Sequence, residues 1–130
     1  MENLWTAVST EKTMVKSVLV VDDEQNFVNL LDWFLSKRGY EVQTALNGDE
    51  ALQLVEKTSP DLALLDIRMG PVSGLSLLGE IKQRRPEMTV IMMTAYPTSE
   101  SRSQAFGKGA FAYLTKPVDL QELLNTIHEL

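Results

Sequence analysis

The run Asp61-Leu62-Ala63-Leu64-Leu65-Asp66-Ile67-Arg68-Met69 is apolar without a break from Leu62 to Leu65 and then stops on a carboxylate. Pro60 opens it, and the segment Gly70-Pro71-Val72-Ser73-Gly74 closes it. A run this short, with no polar alternation, reads as a strand covered on both faces, the pattern of a parallel sheet between helices. Asp66 then stands at the carboxyl end of that strand. In open α/β sheets ligands bind in the crevice beyond that end, which makes Asp66 a candidate for chemistry as well as for capping the next turn.

The same punctuation recurs along the chain. Ser17-Val18-Leu19-Val20-Val21 ends in Asp22-Asp23-Glu24, Met88 to Met93 runs into Thr94-Ala95-Tyr96-Pro97, and Ala110 to Leu114 runs into Thr115-Lys116-Pro117. Tyr40 to Ala45 alternates enough to be one more strand. Between these runs lie helical periods. Phe27, Leu30, Leu31, Phe34 and Leu35 form one apolar face, closed by Gly39 as C′ residue. Ala51, Leu52, Leu54 and Val55 follow Asn47 as N-cap, and Leu120, Leu123, Leu124 and Ile127 follow Asp119 as N-cap. Leu75, Leu78 and Ile81 mark a helix from near Gly74 that ends before Pro86. Thr98 to Lys108 offers only Ala105 and Phe106 as apolar surface, so a lightly packed, more mobile helix is expected there.

Strand and helix alternating in this way predict an α/β fold. The expected form is a doubly wound, five-stranded parallel sheet of flavodoxin-like order 2-1-3-4-5, with helices on both faces. Residues 17–130 would form this single domain, behind a flexible amino-terminal arm of about residues 1–16. Every polar residue singled out lies at a strand's carboxyl end, so the fold would gather Asp22, Asp23, Asp66, Thr94 and Lys116 around one crevice.

Composition removes several alternatives. There is no cysteine, which excludes disulfides, thiolate nucleophiles and cysteine-based zinc sites. The net charge of −6 argues against direct nucleic-acid binding by this stretch, since phosphate neutralisation requires clustered Lys and Arg. No apolar run reaches the length of a membrane span, and the default address is cytoplasmic. The opening residues do not read as a signal peptide, because Glu2 stands where a basic region belongs and no apolar segment follows before Met14.

Carboxylates brought together at the crevice repel: at about 4 Å and an effective dielectric near ~20 a pair costs on the order of 4 kcal/mol. A cation must compensate them. An oxygen-rich pocket with no His or Cys suits a hard divalent ion, and Mg2+ in particular takes a few carboxylates and retains waters. Mg2+ in turn brings phosphate oxygens, for which Lys116 is a suitable point charge and the Thr94 hydroxyl a suitable donor. Phosphoryl transfer to a carboxylate needs this set of groups, and Asp66, apart from the Asp22-Asp23 pair, is the natural nucleophile.

Four stretches, in this order and spacing, resemble the receiver domain of two-component response regulators. They are Val20-Val21-Asp22-Asp23-Glu24, Leu65-Asp66-Ile67-Arg68-Met69 with Gly74, Met93-Thr94-Ala95, and Gly109-Ala110-Phe111-Ala112-Tyr113-Leu114-Thr115-Lys116-Pro117. The resemblance covers about Lys16 to Leu130, and the stretch Gly109 to Pro117 is most similar to receivers of the nitrogen-regulator and nodulation-regulator types. It implies that Asp66 accepts a phosphoryl group from a histidine kinase, a phosphotransfer protein or a small acyl phosphate. It implies that Asp23, Asp66 and the backbone carbonyl of Arg68 bind Mg2+, with Asp22 acting through a coordinated water. Thr94 would follow the phosphoryl group, Tyr113 would swing inward behind it, Lys116 would pair with the phosphoryl oxygens, and the Lys116-Pro117 bond would be cis. Phosphorylation would then switch the face made by the fourth helix, fifth strand and fifth helix. That face would control an output domain beyond Leu130 or a separate partner, or form a homodimer. The implied role is signalling, with only self-phosphorylation and self-dephosphorylation as chemistry.

The chain departs from the family at Met69-Gly70-Pro71, where the proline falls one place late. The spacing from Asp66 to Gly74 is kept, so an acceptor loop of the usual length but different conformation is expected. Arg68 and Tyr96 flank the site at positions that tune its rates in the family. A pseudo-receiver serving as a binding module is the alternative. A hydrolase of the haloacid dehalogenase type would carry an acid two residues after the nucleophile, where this chain has Arg68. A dinucleotide binder would need a Gly-rich turn where Asp22-Asp23-Glu24 stands. The single histidine, His128, is read as a surface residue, and Trp33, off the main apolar stripe, as partly exposed.

Overall fold

In the computed structural model, residues 15–130 are described. Five parallel strands form the sheet: β1 (Ser17–Val21), β2 (Glu41–Ala45), β3 (Leu62–Asp66), β6 (Thr89–Thr94) and β7 (Ala112–Thr115), in the order β2-β1-β3-β6-β7. This is the doubly wound order expected. Among the described residues five helices connect or follow them: α1 (Gln25–Ser36), α2 (Gly48–Thr58), α3 (Gly74–Arg84), α4 (Ser99–Gly107) and α5 (Leu120–His128). Two short strands, β4 (Arg68–Met69) and β5 (Val72–Ser73), were not foreseen and form a separate antiparallel ladder just after Asp66.

Side chains alternate across the central strands, so each strand feeds two cores. Leu19, Val21, Ala63, Leu65, Val90 and Met92 meet α2 and α3 on one face. Val18, Val20, Leu62, Leu64, Ile91 and Met93 meet α1 and α5 on the other. β3 is buried at every position, which is why its sequence shows no alternation. The register of β3 against β6 sets Asp66 beside Met93, and that of β6 against β7 sets Thr94 beside Thr115, so the strand ends are nearly level.

The caps explain where the helices stop and start. Asn47 accepts the N–H of Glu50, and Asp119 accepts those of Gln121 and Glu122, as expected of these N-caps. Gly39 ends α1 in a Schellman arrangement. Tyr40 N–H donates to Leu35 O at 3.2 Å and Gly39 N–H to Ser36 O at 3.0 Å, with φ of +94° at Gly39. Gly109 repeats it after α4, through Ala110 N–H to Ala105 O and Gly109 N–H to Phe106 O. Ala110 is thereby used to close α4, and β7 begins at Ala112 instead of at Ala110.

Two packing expectations need correction. On α1 the buried stripe is Val28, Leu31, Phe34 and Leu35, while Leu30 is exposed and Phe27 only partly buried, because the stripe is rotated toward Val28. On α4 Phe106 is exposed, so Ala105 alone reaches the core. The expected arm lies outside the described residues except for Val15 and Lys16. Lys16 is tied to the sheet, its N–H donating to Asp61 Oδ2 at 2.9 Å and its carbonyl accepting from Glu41 N–H at 2.8 Å.

Candidate functional site

At the carboxyl edge of the sheet, Asp22 and Asp23 follow β1, Asp66 ends β3, Thr94 ends β6 and Lys116 follows β7. Asp22, Asp23 and Asp66 each offer a carboxylate oxygen, and these atoms lie within 4.8 Å of one another. Asp22 and Asp66 are buried and Asp23 is exposed, so the cluster has a closed floor and an open rim.

Each acid is aimed by its neighbours. Asp22 Oδ1 accepts the N–H of Glu24 at 2.9 Å, while Oδ2 accepts from Lys116 Nζ at 2.5 Å. The same ammonium lies 3.6 Å from Asp66 Oδ2 and so bridges two of the three acids. It also sits 4.5 Å from the centre of the Phe27 ring, whose electron-rich face supports the charge. Asp66 Oδ1 faces the N–H of Arg68 at 3.4 Å.

Burial pushes the Asp66 carboxyl above its ordinary value of 3.8, and the charge of Asp22 pushes it the same way. Lys116 and the Arg68 N–H oppose the rise. Asp66 is therefore an acid whose proton affinity is raised by burial and by Asp22, with Lys116 and the Arg68 N–H restraining the rise.

Thr94 is buried, its hydroxyl accepts the N–H of Tyr96 at 3.0 Å, and its carbonyl accepts the N–H of Lys116 at 2.8 Å. A hydroxyl that accepts one bond keeps its hydrogen to donate elsewhere. The Lys116-Pro117 bond is cis, as the resemblance implied. Tyr113 is buried on β7, with its phenol at the first turn of α4. The Arg68 side chain is exposed and stacks over Tyr96 at 4.6 Å from the ring centre. His128 and Trp33 are exposed.

The late proline has a local explanation. Arg68 pairs with Ser73 and Met69 with Val72, leaving Gly70-Pro71 as a two-residue hairpin loop. Gly70 has φ of +59°, and Pro71 can only follow with negative φ, which is the sign pattern of a type II′ turn. The loop after Asp66 is thus a tight hairpin.

The donor set suits Mg2+: three carboxylates, oxygen only, two of them fixed by hydrogen bonds. Two participants escaped the sequence reading. Phe27 was placed with the core, although it opens the helix directly after the acids and faces the lysine. Ser101, which meets Tyr113, had no signal beyond its place in the first turn of α4.

The family model for the response regulator receiver domain matches residues 18–128. The chain belongs to that family. Among curated relatives, the DNA-binding transcriptional regulator NtrC of Escherichia coli (strain K12) is 42% identical over 105 residues, 81% of this chain and 22% of that protein. The response regulator TrrA of Thermotoga maritima, solved in complex with Mg2+ and BeF, is 39% identical with a TM-score of 0.78, covering 88% of this chain and 97% of that one. A response regulator of Burkholderia pseudomallei, solved with a phosphorylated aspartic acid, calcium ion and citrate, is 34% identical with a TM-score of 0.82, covering 86% of this chain and 66% of that one. This receiver spans about a quarter of the length of the curated relatives it matches. It is a signalling domain of two-component systems by family. Among its described residues no helix is long and apolar enough to cross a membrane.

Proposed function

We propose that this receiver acts in the cytoplasm and accepts a phosphoryl group on Asp66 from the phosphohistidine of a histidine kinase or phosphotransfer protein. The observation that carries the reading is the placement of the Asp66 carboxylate beside two further acids and one bridging ammonium. An Asp66 oxygen attacks phosphorus, the bond from phosphorus to the donor imidazole nitrogen breaks, and the imidazole leaves with its electron pair. With a small acyl phosphate the leaving group is the carboxylate. Attack by water on the aspartyl phosphate later returns free Asp66 and inorganic phosphate.

Lys116 favours the ionised nucleophile and can turn from Asp22 to a phosphoryl oxygen, since both Asp22 and Asp66 lie within its reach. The Thr94 hydroxyl has a hydrogen free to donate to another oxygen. Asp23, Asp66 and the Arg68 carbonyl would hold Mg2+, with Asp22 acting through water. When bound, Mg2+ offsets the repulsion among the acids and the charge on the phosphoryl oxygens. The Mg2+ and phosphorylated aspartate in the two solved relatives support this assignment.

Thr94 and Tyr113 then act as the switch. The face formed by α4, β7 and α5 passes the change to an output domain, a separate partner or a second copy of the receiver. That the relatives are much longer than this chain supports an output role. Intact mass after incubation with acetyl phosphate tests the proposal. A single Mg2+-dependent, base-labile adduct that is absent in Asp66→Asn is the expected result. No adduct, or one indifferent to Asp66, would overturn it and favour a phosphorylation-independent binding module.

A further inference from the structure

Little apolar surface holds α4 in place, since Ala105 is its one buried residue. Its polar attachment is concentrated at one phenol. Tyr113 Oη accepts the N–H of Thr98 at 3.3 Å and lies 2.6 Å from Ser101 Oγ. Either hydroxyl can donate in the Ser101–Tyr113 bond. Ser101 is itself positioned by Thr98, whose Oγ1 accepts the Ser101 N–H at 2.9 Å and lies 3.0 Å from Ser101 Oγ. The Arg102 guanidinium covers the same region, 5.6 Å from the centre of the Tyr113 ring and 5.2 Å from that of Phe106.

Thr98 is also the far end of the segment that begins at Thr94. At the near end the Thr94 hydroxyl holds the N–H of Tyr96. The segment 94–98 is thus tied to the acceptor site at one end and to the Tyr113 phenol at the other. A displacement of the segment at Thr94 would be felt where Thr98, Ser101 and Tyr113 meet.

We propose that Ser101 is a positioning residue for Tyr113: its hydroxyl latches the phenol to the first turn of α4 and so sets how readily α4 leaves β7. The coupling of this latch to Asp66 rests on the proposed function, whereas the latch itself does not. A neutral hydrogen bond changes such an equilibrium by about threefold to tenfold. For a helix anchored by one alanine, that is a large share of its attachment.

The test is amide hydrogen exchange over Arg102 to Lys108 in the unphosphorylated protein, for wild type, Ser101→Ala, Tyr113→Phe, the double variant and Ser101→Thr. Each of the first two variants should exchange about threefold to tenfold faster than wild type, the double variant no faster than Tyr113→Phe alone, which also loses the Thr98 bond, and Ser101→Thr close to wild type. Alanine is the better helix former, so a merely local role for Ser101 predicts unchanged or slower exchange. Unchanged exchange in Ser101→Ala would overturn the latch, as would an effect of Ser101→Ala that persists in full when Tyr113 is already Phe. After acetyl phosphate and Mg2+, wild-type exchange in α4 should move toward that of Ser101→Ala. An adduct on Asp66 that leaves α4 exchange unmoved would overturn the coupling. A missing adduct would count against the proposed function alone, the latch being judged by the unphosphorylated variants.

Discussion

A side chain at position 74 would place its Cβ 1.9 Å from the backbone oxygen of Asp66. The first residue of α3 is pressed against the end of β3, and the Gly74 N–H donates to Ile67 O at 2.7 Å. Backbone cannot move aside as the tip of a flexible side chain can. Gly74→Ala should therefore cost at least about 1–3 kcal/mol in urea denaturation and disturb Asp66. Gly79→Ala, in the middle of the same helix with only Lys108 Nζ near at 3.8 Å, should instead add about 0.5–1 kcal/mol.

The raised proton affinity of Asp66 fixes the sign of a pH effect. Because the folded protein binds this proton more tightly, the stabilisation from protonation is complete below about 3.8 and is lost as pH rises through the higher folded value. At neutral pH without Mg2+ the ionised Asp66 is thus a net burden. Asp66→Asn should be more stable than wild type there, and the difference should shrink as pH falls through the folded value of Asp66. Chemical denaturation at several pH values in EDTA reads it directly; a difference that grows toward low pH would contradict the assignment.

Mg2+ should stabilise the folded receiver by mass action, by about 2.7 kcal/mol at one hundred times its dissociation constant. Thermal melts with Mg2+ and with EDTA measure this without any phosphoryl donor. Asp23 is exposed, so Asp23→Asn should leave the metal-free melt nearly unchanged and remove most of the Mg2+ increment.

The entry to the sheet depends on one acid far from the site. Asp61 Oδ2 accepts the N–H groups of Lys16 and Ser17 at 2.9 and 3.1 Å, and its own N–H donates to Ser17 Oγ at 3.0 Å. Asp61→Ala should cost about 1 kcal/mol. Faster amide exchange at Lys16 and Ser17, with no change in phosphoryl uptake, is the expected accompaniment.

The elements were legible in the sequence where the signal is local. Buried strands show as unbroken apolar runs, Asn47 and Asp119 mark helix starts, and Gly39 marks a helix end. The buried stripe of α1, which differs from the expected one, shows the limit of such reading. Phe27 and Leu30 fit the period as well as Val28 does, and only contact with the sheet decides that Val28 is buried, Leu30 exposed and Phe27 turned to Lys116. Gly70-Pro71 was likewise visible only as a departure from the family pattern, while the hairpin shape followed from the pairing of Arg68 with Ser73.

The sequence by itself determined the strand and helix order, and with it that Asp22, Asp23, Asp66, Thr94 and Lys116 would share one edge of the sheet. It did so because side-chain period and capping act over a few residues. Only the tertiary structure decided that Lys116 bridges Asp22 and Asp66, that Phe27 backs the ammonium and that Ser101 meets Tyr113. Lys116 and Asp22 are 94 residues apart in the chain. Their contact depends on strand register and helix rotation summed over the whole sheet, which no local pattern records.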